Sequence, residues 1–165
     1  MDPKTYISVI GPSDAPPEVL RIAEEVGACV ARAGAILVTG GGGGAMEAAC
    51  RGAKGAGGTT LGLLPGSFRS EGNAFLDVAI PTGMGEMRNV LMVRTADGLV
   101  AVGGAFGTLS EIALALKLGK PIVGIGTWAA SIDGETAPML TATTAEQAVG
   151  MLMAVLPVGG LRPDD

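Results

Sequence analysis

Residues 97–126, DGLVAVGGAFGTLSEIALALKLGKPIVGIG, run in order through a β-branched apolar stretch, a glycine turn, an Ala/Leu-rich helix and a second β-branched stretch. Strand, helix and strand in about thirty residues is the repeating unit of a parallel sheet. Its turn leaves the backbone bare at Gly103, Gly104 and Gly107, adds a hydroxyl at Thr108, and places the carboxylate of Glu111 one helical turn later. Much of the fold follows from extending this pattern in both directions, and the chemistry follows from asking what that turn is for.

Toward the N-terminus the alternation repeats. Tyr6 to Ile10 reads as a first strand, followed by a helix from about Pro16 to Ala33 that Ser13 or Asp14 can cap. "AILVTGG" from Ala35 is a second strand, and the run Gly40 to Gly44 leads into the helix "AMEAACRGAKGA". "TTLGLLPG" and "FLDVAIPTG" are third and fourth strands, separated by the polar loop "SFRSEGN", which suits the rim of a pocket. In "MGEMRNVLMVRTA" the helical spacing puts Met84, Met87, Leu91 and Thr95 on one face with Arg88 beside them. Beyond Trp128 the pattern weakens: "AASIDGETAPML" reads as a loop, "TATTAEQAVGMLMAVL" as a last capped helix, and the tail from about residue 157 as frayed. The expectation is one nucleotide-binding-type domain over residues 1–165, an α/β, Rossmann-like, doubly wound and mainly parallel sheet with helices on both faces.

Composition narrows the chemistry. Sixteen acidic against eleven basic side chains give a net charge of −5, which argues against a nucleic-acid polymer as partner because that affinity rests on clustered Lys and Arg. The absence of histidine removes Ser-His and Cys-His mechanisms and the commonest metal ligand, so acid–base work falls to carboxylates and no metal site is expected. Aromatic residues, at 3%, are too few for base-stacking platforms along a strand. No stretch reaches the roughly 18 apolar residues of a membrane helix and no leader pattern opens the chain, so a soluble, cytoplasmic protein with no membrane partner is expected. Cys29 and Cys50 sit among alanines and read as buried, reduced core residues. Apolar faces such as "LMVRTA" and "IALALKLG" can serve a second copy as well as the sheet, and a homodimer or higher homo-oligomer is expected.

In open parallel sheets ligands bind outside the carboxyl ends of the strands, where both glycine segments fall. Gly41, Gly42, Gly43 and Gly44 open a helix, so their N–H groups can meet an anion aided by the helix dipole, or they can simply form a tight turn. Gly103, Gly104, Gly107 and Thr108 repeat the arrangement. Glu111 is either a functional carboxylate aimed at the same mouth or the capping-box partner of Thr108. Arg88 is free to snorkel outward, to reach a ligand phosphate or to hold Glu111. Ser13, Met46 and Asn89 fall at the rim. A dinucleotide oxidoreductase is disfavoured because no acidic residue ends the second strand to take a ribose hydroxyl.

"GGGGGAMEAACRGA", "GEMRNVLM" and "GGAFGTLSE", in this order and spacing, resemble the LOG superfamily from about Ile7 to Ile125. The resemblance implies a nucleotide-binding Rossmann protein that is at least dimeric. Studied members hydrolyse the N-glycosidic bond of AMP or of cytokinin riboside 5′-monophosphates to free base and ribose 5-phosphate, with no cofactor. By motif match the catalytic pair is Glu111 and Arg88, with Gly103, Gly104, Gly107 and Thr108 on the 5′-phosphate and Gly41 to Gly44 closing the other wall. Val102 stands where the hydrolases carry proline and Asn89 where they carry lysine, and Ala105-Phe106 replaces a glycine- or tyrosine-bearing pair. These departures, with the short C-terminal segment, look closer to a smaller branch that includes molybdenum cofactor carrier proteins. The expected activity is therefore hydrolysis of a nucleoside 5′-monophosphate, with non-catalytic carriage of molybdenum cofactor or a related phosphorylated pterin as the alternative. Either way the partner is a small phosphorylated ligand.

Overall fold

A computed structural model describes residues 4–156; the tail from 157 lies outside them. The elements are β1 (Tyr6–Ile10), α1 (Pro17–Arg32), β2 (Ile36–Thr39), α2 (Ala45–Gly55), β3 (Thr60–Leu64), β4 (Val78–Pro81), α3 (Arg88–Thr95), β5 (Gly98–Val102), α4 (Phe106–Lys117), β6 (Ile122–Ile125), β7 (Ser131–Ile132), β8 (Glu135–Thr136), β9 (Leu140–Thr141) and α5 (Ala145–Val155). Seven strands form one sheet in the order β4-β3-β2-β1-β5-β6-β9, and every neighbouring pair in it is parallel. The expected α/β, Rossmann-like sheet is therefore present.

Burial on both faces explains the apolar strands. Ile7, Val9, Leu37, Val100 and Val102 pack with α1, α2 and α5 on one face, whereas Ile10, Val38, Leu99 and Ala101 pack with α3 and α4 on the other. The alternation follows the period of two along each strand. On the first face α1 and α2 touch backbone to backbone: a Cβ on Gly27 would strike the Ala49 carbonyl oxygen, and one on Gly52 would strike that of Glu24. Cys29 and Cys50 are buried and free in this layer, and burial pushes both thiols above their ordinary range.

Winding order creates the site. The chain lays down β1 to β4 in one direction, then returns to place β5 on the open side of β1, with Ile7 beside Gly98 and Ile10 beside Ala101. The connections leaving β1 and β5 part in opposite senses, and a crevice opens between them at the carboxyl ends.

Three local readings change. Helix α1 starts at Pro17 with Pro16 at the N-cap and no side-chain cap bond, so neither Ser13 nor Asp14 caps it; Pro17 restricts Pro16 to extended backbone, which forbids an earlier start. "MGEMRNVLMVRTA" is a short 3₁₀ turn, Gly85–Met87, and then α3, because Gly83 and Gly85 take positive φ. "AASIDGETAPML" contains a hairpin, β7 and β8, closed by Asp133 and Gly134 at positive φ, and the sheet strand β9. Asp-Gly is a turn signal for such a hairpin.

Replacing Gly27 by valine should destabilise the fold by about 2 kcal/mol or more, because the obstruction is backbone that side-chain repacking cannot relieve. Urea denaturation measures it; an unchanged midpoint would mean that α1 and α2 separate freely.

Candidate functional site

A cleft of about 490 Å³ opens at the carboxyl ends of β1, β2 and β5, and its walls include Gly11, Pro12, Ser13, Gly40, Gly42, Met46, Arg88, Asn89, Gly107, Thr108 and Glu111. The turns after the three strands supply most of one side, and α3 supplies the other through Arg88 and Asn89.

The five-glycine run divides its labour. Gly40 and Gly42 line the cleft. Gly41, at φ 74°, turns toward Leu64 and Leu76 behind it, and Gly44, at φ 61°, lies under the carbonyls of Pro12 and Ser13. The loop is clamped from outside by Asn73, whose Nδ2 donates to the carbonyls of Gly41 and Gly42 at 3.2 and 3.0 Å and whose N–H donates to Gly41 at 2.9 Å. Because C=O and the following N–H point oppositely in a trans peptide, these bonds turn the N–H groups of Gly42 and Gly43 away from Asn73. Neither donates a hydrogen bond among the described residues, and they adjoin the N-terminus of α2, where anions are favoured.

The second glycine turn behaves differently. Gly103, at φ 63°, packs against Val19, and a Cβ on Gly104 would lie 2.7 Å from Trp128 Nε1. Neither lines the cleft; Gly107 and Thr108 do. The structure thus brings Ser13, Gly42, Met46, Arg88, Asn89, Gly107, Thr108 and Glu111 to one opening, and places Gly41, Gly43, Gly44, Gly103 and Gly104 outside its lining.

Glu111 is 7% exposed, and its carboxyl makes no hydrogen bond among the described residues. It is not the capping partner of Thr108: α4 begins at Phe106 with Ala105 at the N-cap, and the Thr108 hydroxyl accepts from the Ala105 N–H at 3.4 Å. Burial raises the Glu111 carboxyl to about 7, opposed by the charge of Arg88. Arg88 is lowered by burial and supported by Glu111, yet no ion pair within 4 Å joins them among the described residues. Its Nη1 donates instead to the Leu63 carbonyl at 2.8 Å, while its Nε is buried without a partner. Gly40 makes room for this guanidinium, since a Cβ there would strike Nη1.

Sequence reasoning passed over Gly11 and Pro12, Gly40, Asn73 and Glu86. The position of Gly11-Pro12 at the end of the strand beside the switch point was a usable signal. Asn73 is the last residue of the polar loop placed at a pocket rim, but its clamp on Gly41 needs the third dimension.

The SLOG cluster4 family profile matches residues 4–155, and the chain belongs to that family. It is thus a LOG-like Rossmann protein near the molybdenum cofactor carrier branch. The molybdenum cofactor binding protein of Rippkaea orientalis superposes with a TM-score of 0.83 at 34% identity, covering 92% of this chain and 97% of that one. The Moco carrier protein of Chlamydomonas reinhardtii gives 0.80 at 39% identity, covering 93% and 99%. A cytokinin riboside 5′-monophosphate phosphoribohydrolase of Mycobacterium tuberculosis is 35% identical over 120 residues, which span 67% of this chain but 64% of that protein. Among the described residues no helix is long and apolar enough to cross a membrane.

The raised carboxyl has a measurable consequence. Between about pH 4.5 and 7 the folded protein keeps on Glu111 a proton that the unfolded chain has released, so this group makes stability fall as pH rises through that window. Glu111→Gln removes the dependence. The variant should gain on the parent by on the order of 3 kcal/mol between pH 4.5 and pH 8, at about 1.4 kcal/mol per pKa unit. Urea midpoints at both pH values test this; an equal difference at both would show that Glu111 titrates alike in the folded and unfolded chains.

Proposed function

We propose that this protein binds and carries a phosphorylated pterin, with molybdenum cofactor as the cargo, in the cleft between β1 and β5. The observation that carries the reading is the unpartnered amide of Gly42 on the lining, with that of Gly43 next to it in a loop clamped by Asn73 beside a helix N-terminus, at a cleft whose one buried carboxyl is held partly neutral. Such a wall accepts a phosphate without a lysine. The buried, unpaired Nε of Arg88 is a further donor that a phosphate or ring oxygen would satisfy. A cleft of about 490 Å³ falls within the usual range for small-ligand sites. Similarity to two cofactor-binding proteins over 97% and 99% of their lengths supports the same reading. In this role Glu111 and Arg88 orient the cargo and no bond changes.

A second reading, phosphoribohydrolase, is favoured by Glu111 itself. A carboxyl at about 7 exchanges protons readily at neutral pH. Ionised Glu111 would take a proton from water as the water oxygen bonds to C1′, the C1′–N bond would break with its electrons on the base nitrogen, and Glu111 would return that proton to the departing base, giving free base and ribose 5-phosphate. Arg88 would hold the leaving base.

Two assays on one preparation separate these. Carriage predicts that the protein captures molybdenum cofactor stoichiometrically, seen as pterin fluorescence after release and oxidation, and liberates no ribose 5-phosphate from AMP or a cytokinin riboside 5′-monophosphate. Ribose 5-phosphate release abolished in Glu111→Ala, with no pterin captured, would overturn carriage in favour of hydrolysis.

A further inference from the structure

Beside the main cleft lies a second cavity of about 450 Å³ lined by Met87, Val90, Phe106, Ser110 and Leu114, and the two cavities share Glu86, Asn89 and Gly107. Phe106 is 81% exposed and Met87 71%, a large apolar display for a chain with three phenylalanines and one tryptophan. The Phe106 ring is braced by Trp128, which stacks on it at 5.8 Å between centroids and 29° between planes, the one ring contact it makes among the described residues. Trp128 is itself pinned by its Nε1 donating to the Ala105 carbonyl at 3.1 Å, in space that Gly104 leaves open.

Polar groups mark the seam between the cavities. Asn89 Nδ2 donates to Ser110 Oγ at 3.2 Å, and Ser110 Oγ donates to the Gly107 carbonyl at 2.7 Å. The Asn89 amide oxygen accepts no hydrogen bond among the described residues. The Glu86 carboxylate, which lines both cavities, has neither hydrogen bond nor ion pair among the described residues. An aromatic face beside a free carboxylate suits a planar ring with two adjacent N–H donors on one edge. The 2-amino-4-oxopyrimidine ring shared by pterins and guanine has that edge, formed by a ring N–H and the exocyclic amine. Hypoxanthine lacks the amine and adenine lacks the ring N–H.

We propose that the outer cavity is the ring subsite, with Phe106 as its stacking platform and Glu86 as the specificity-determining acceptor for a 2-amino-4-oxopyrimidine. The proposal rests on the phosphate of the same ligand lying in the inner cleft. It goes beyond carriage or hydrolysis because it names which rings enter.

Calorimetric titration with GMP, IMP, AMP and ribose 5-phosphate tests it, together with sedimentation of each protein. GMP should bind about tenfold or more tighter than IMP and AMP, the factor expected from hydrogen bonds to a charged acceptor. Glu86→Gln should erase that preference, and Phe106→Ala should weaken GMP in parallel. Equal binding of GMP and IMP, or a preference that survives Glu86→Gln, would overturn the assignment. So would unaltered GMP affinity in Phe106→Ala accompanied by dissociation of an oligomer, because a second copy would then cover the cavity. If ribose 5-phosphate binds but GMP is not preferred, the ring subsite fails and the phosphate reading stands. If GMP is preferred while ribose 5-phosphate fails to bind, the phosphate reading fails and the ring subsite stands.

Discussion

Parallel pairing of β1 with β2 on one side and β5 on the other is the constraint on which the rest depends. It forces the connections leaving β1 and β5 apart, and the opening between them is the only way such a sheet can offer several strand ends to one ligand. The registers Ser8 beside Val38 and Ser8 beside Leu99 bring the Gly11-Pro12 turn level with the glycine run after β2 and with Val102, where the second glycine turn begins. Slip either pairing by one residue and the buried side chains of β1 would exchange faces. Neither the core nor the cleft would survive that exchange.

Within the opening, glycine is used for space as much as for conformation. Gly40 is bare so that Arg88 can lie across the end of β2, Gly44 so that the β1–α1 turn can cross above α2, and Gly104 so that Trp128 can brace the rim. Arg88 is then held by the Leu63 carbonyl rather than by a close ion pair with Glu111. Had the two met directly, the carboxyl would be held ionised. Kept apart in a buried setting, it sits near 7, and the cleft wall is closer to neutral than its residue types suggest.

Much of this architecture was legible in the sequence because the alternation of β-branched runs with Ala/Leu helices depends on local period alone. The first-to-sixth strand readings fall on β1 to β6, and both glycine turns fall at strand ends. What escaped depended on partners far away in the chain. β9 is two residues long and is defined by β6 beside it, so no periodicity marks it. Ser13 offered a plausible cap, but Pro17 set the helix start. Thr108 and Glu111 have capping-box spacing, yet the cap falls at Ala105, which only the path of the Gly103 turn determines. For the site, residue type marked Arg88, Glu111, Thr108 and Asn89. It could not tell Gly42, which faces the cleft, from Gly41, which faces Leu64.

The central claim is that backbone amides at the strand ends receive a phosphate. Amide-resolved NMR during titration with a simple phosphomonoester, ribose 5-phosphate, tests it most directly. The account predicts saturable shifts concentrated at the N–H groups of Gly42, Gly43 and Gly107, with the Gly103 and Gly104 signals little changed. Saturable shifts centred elsewhere, with Gly42 and Gly43 unmoved, would contradict it.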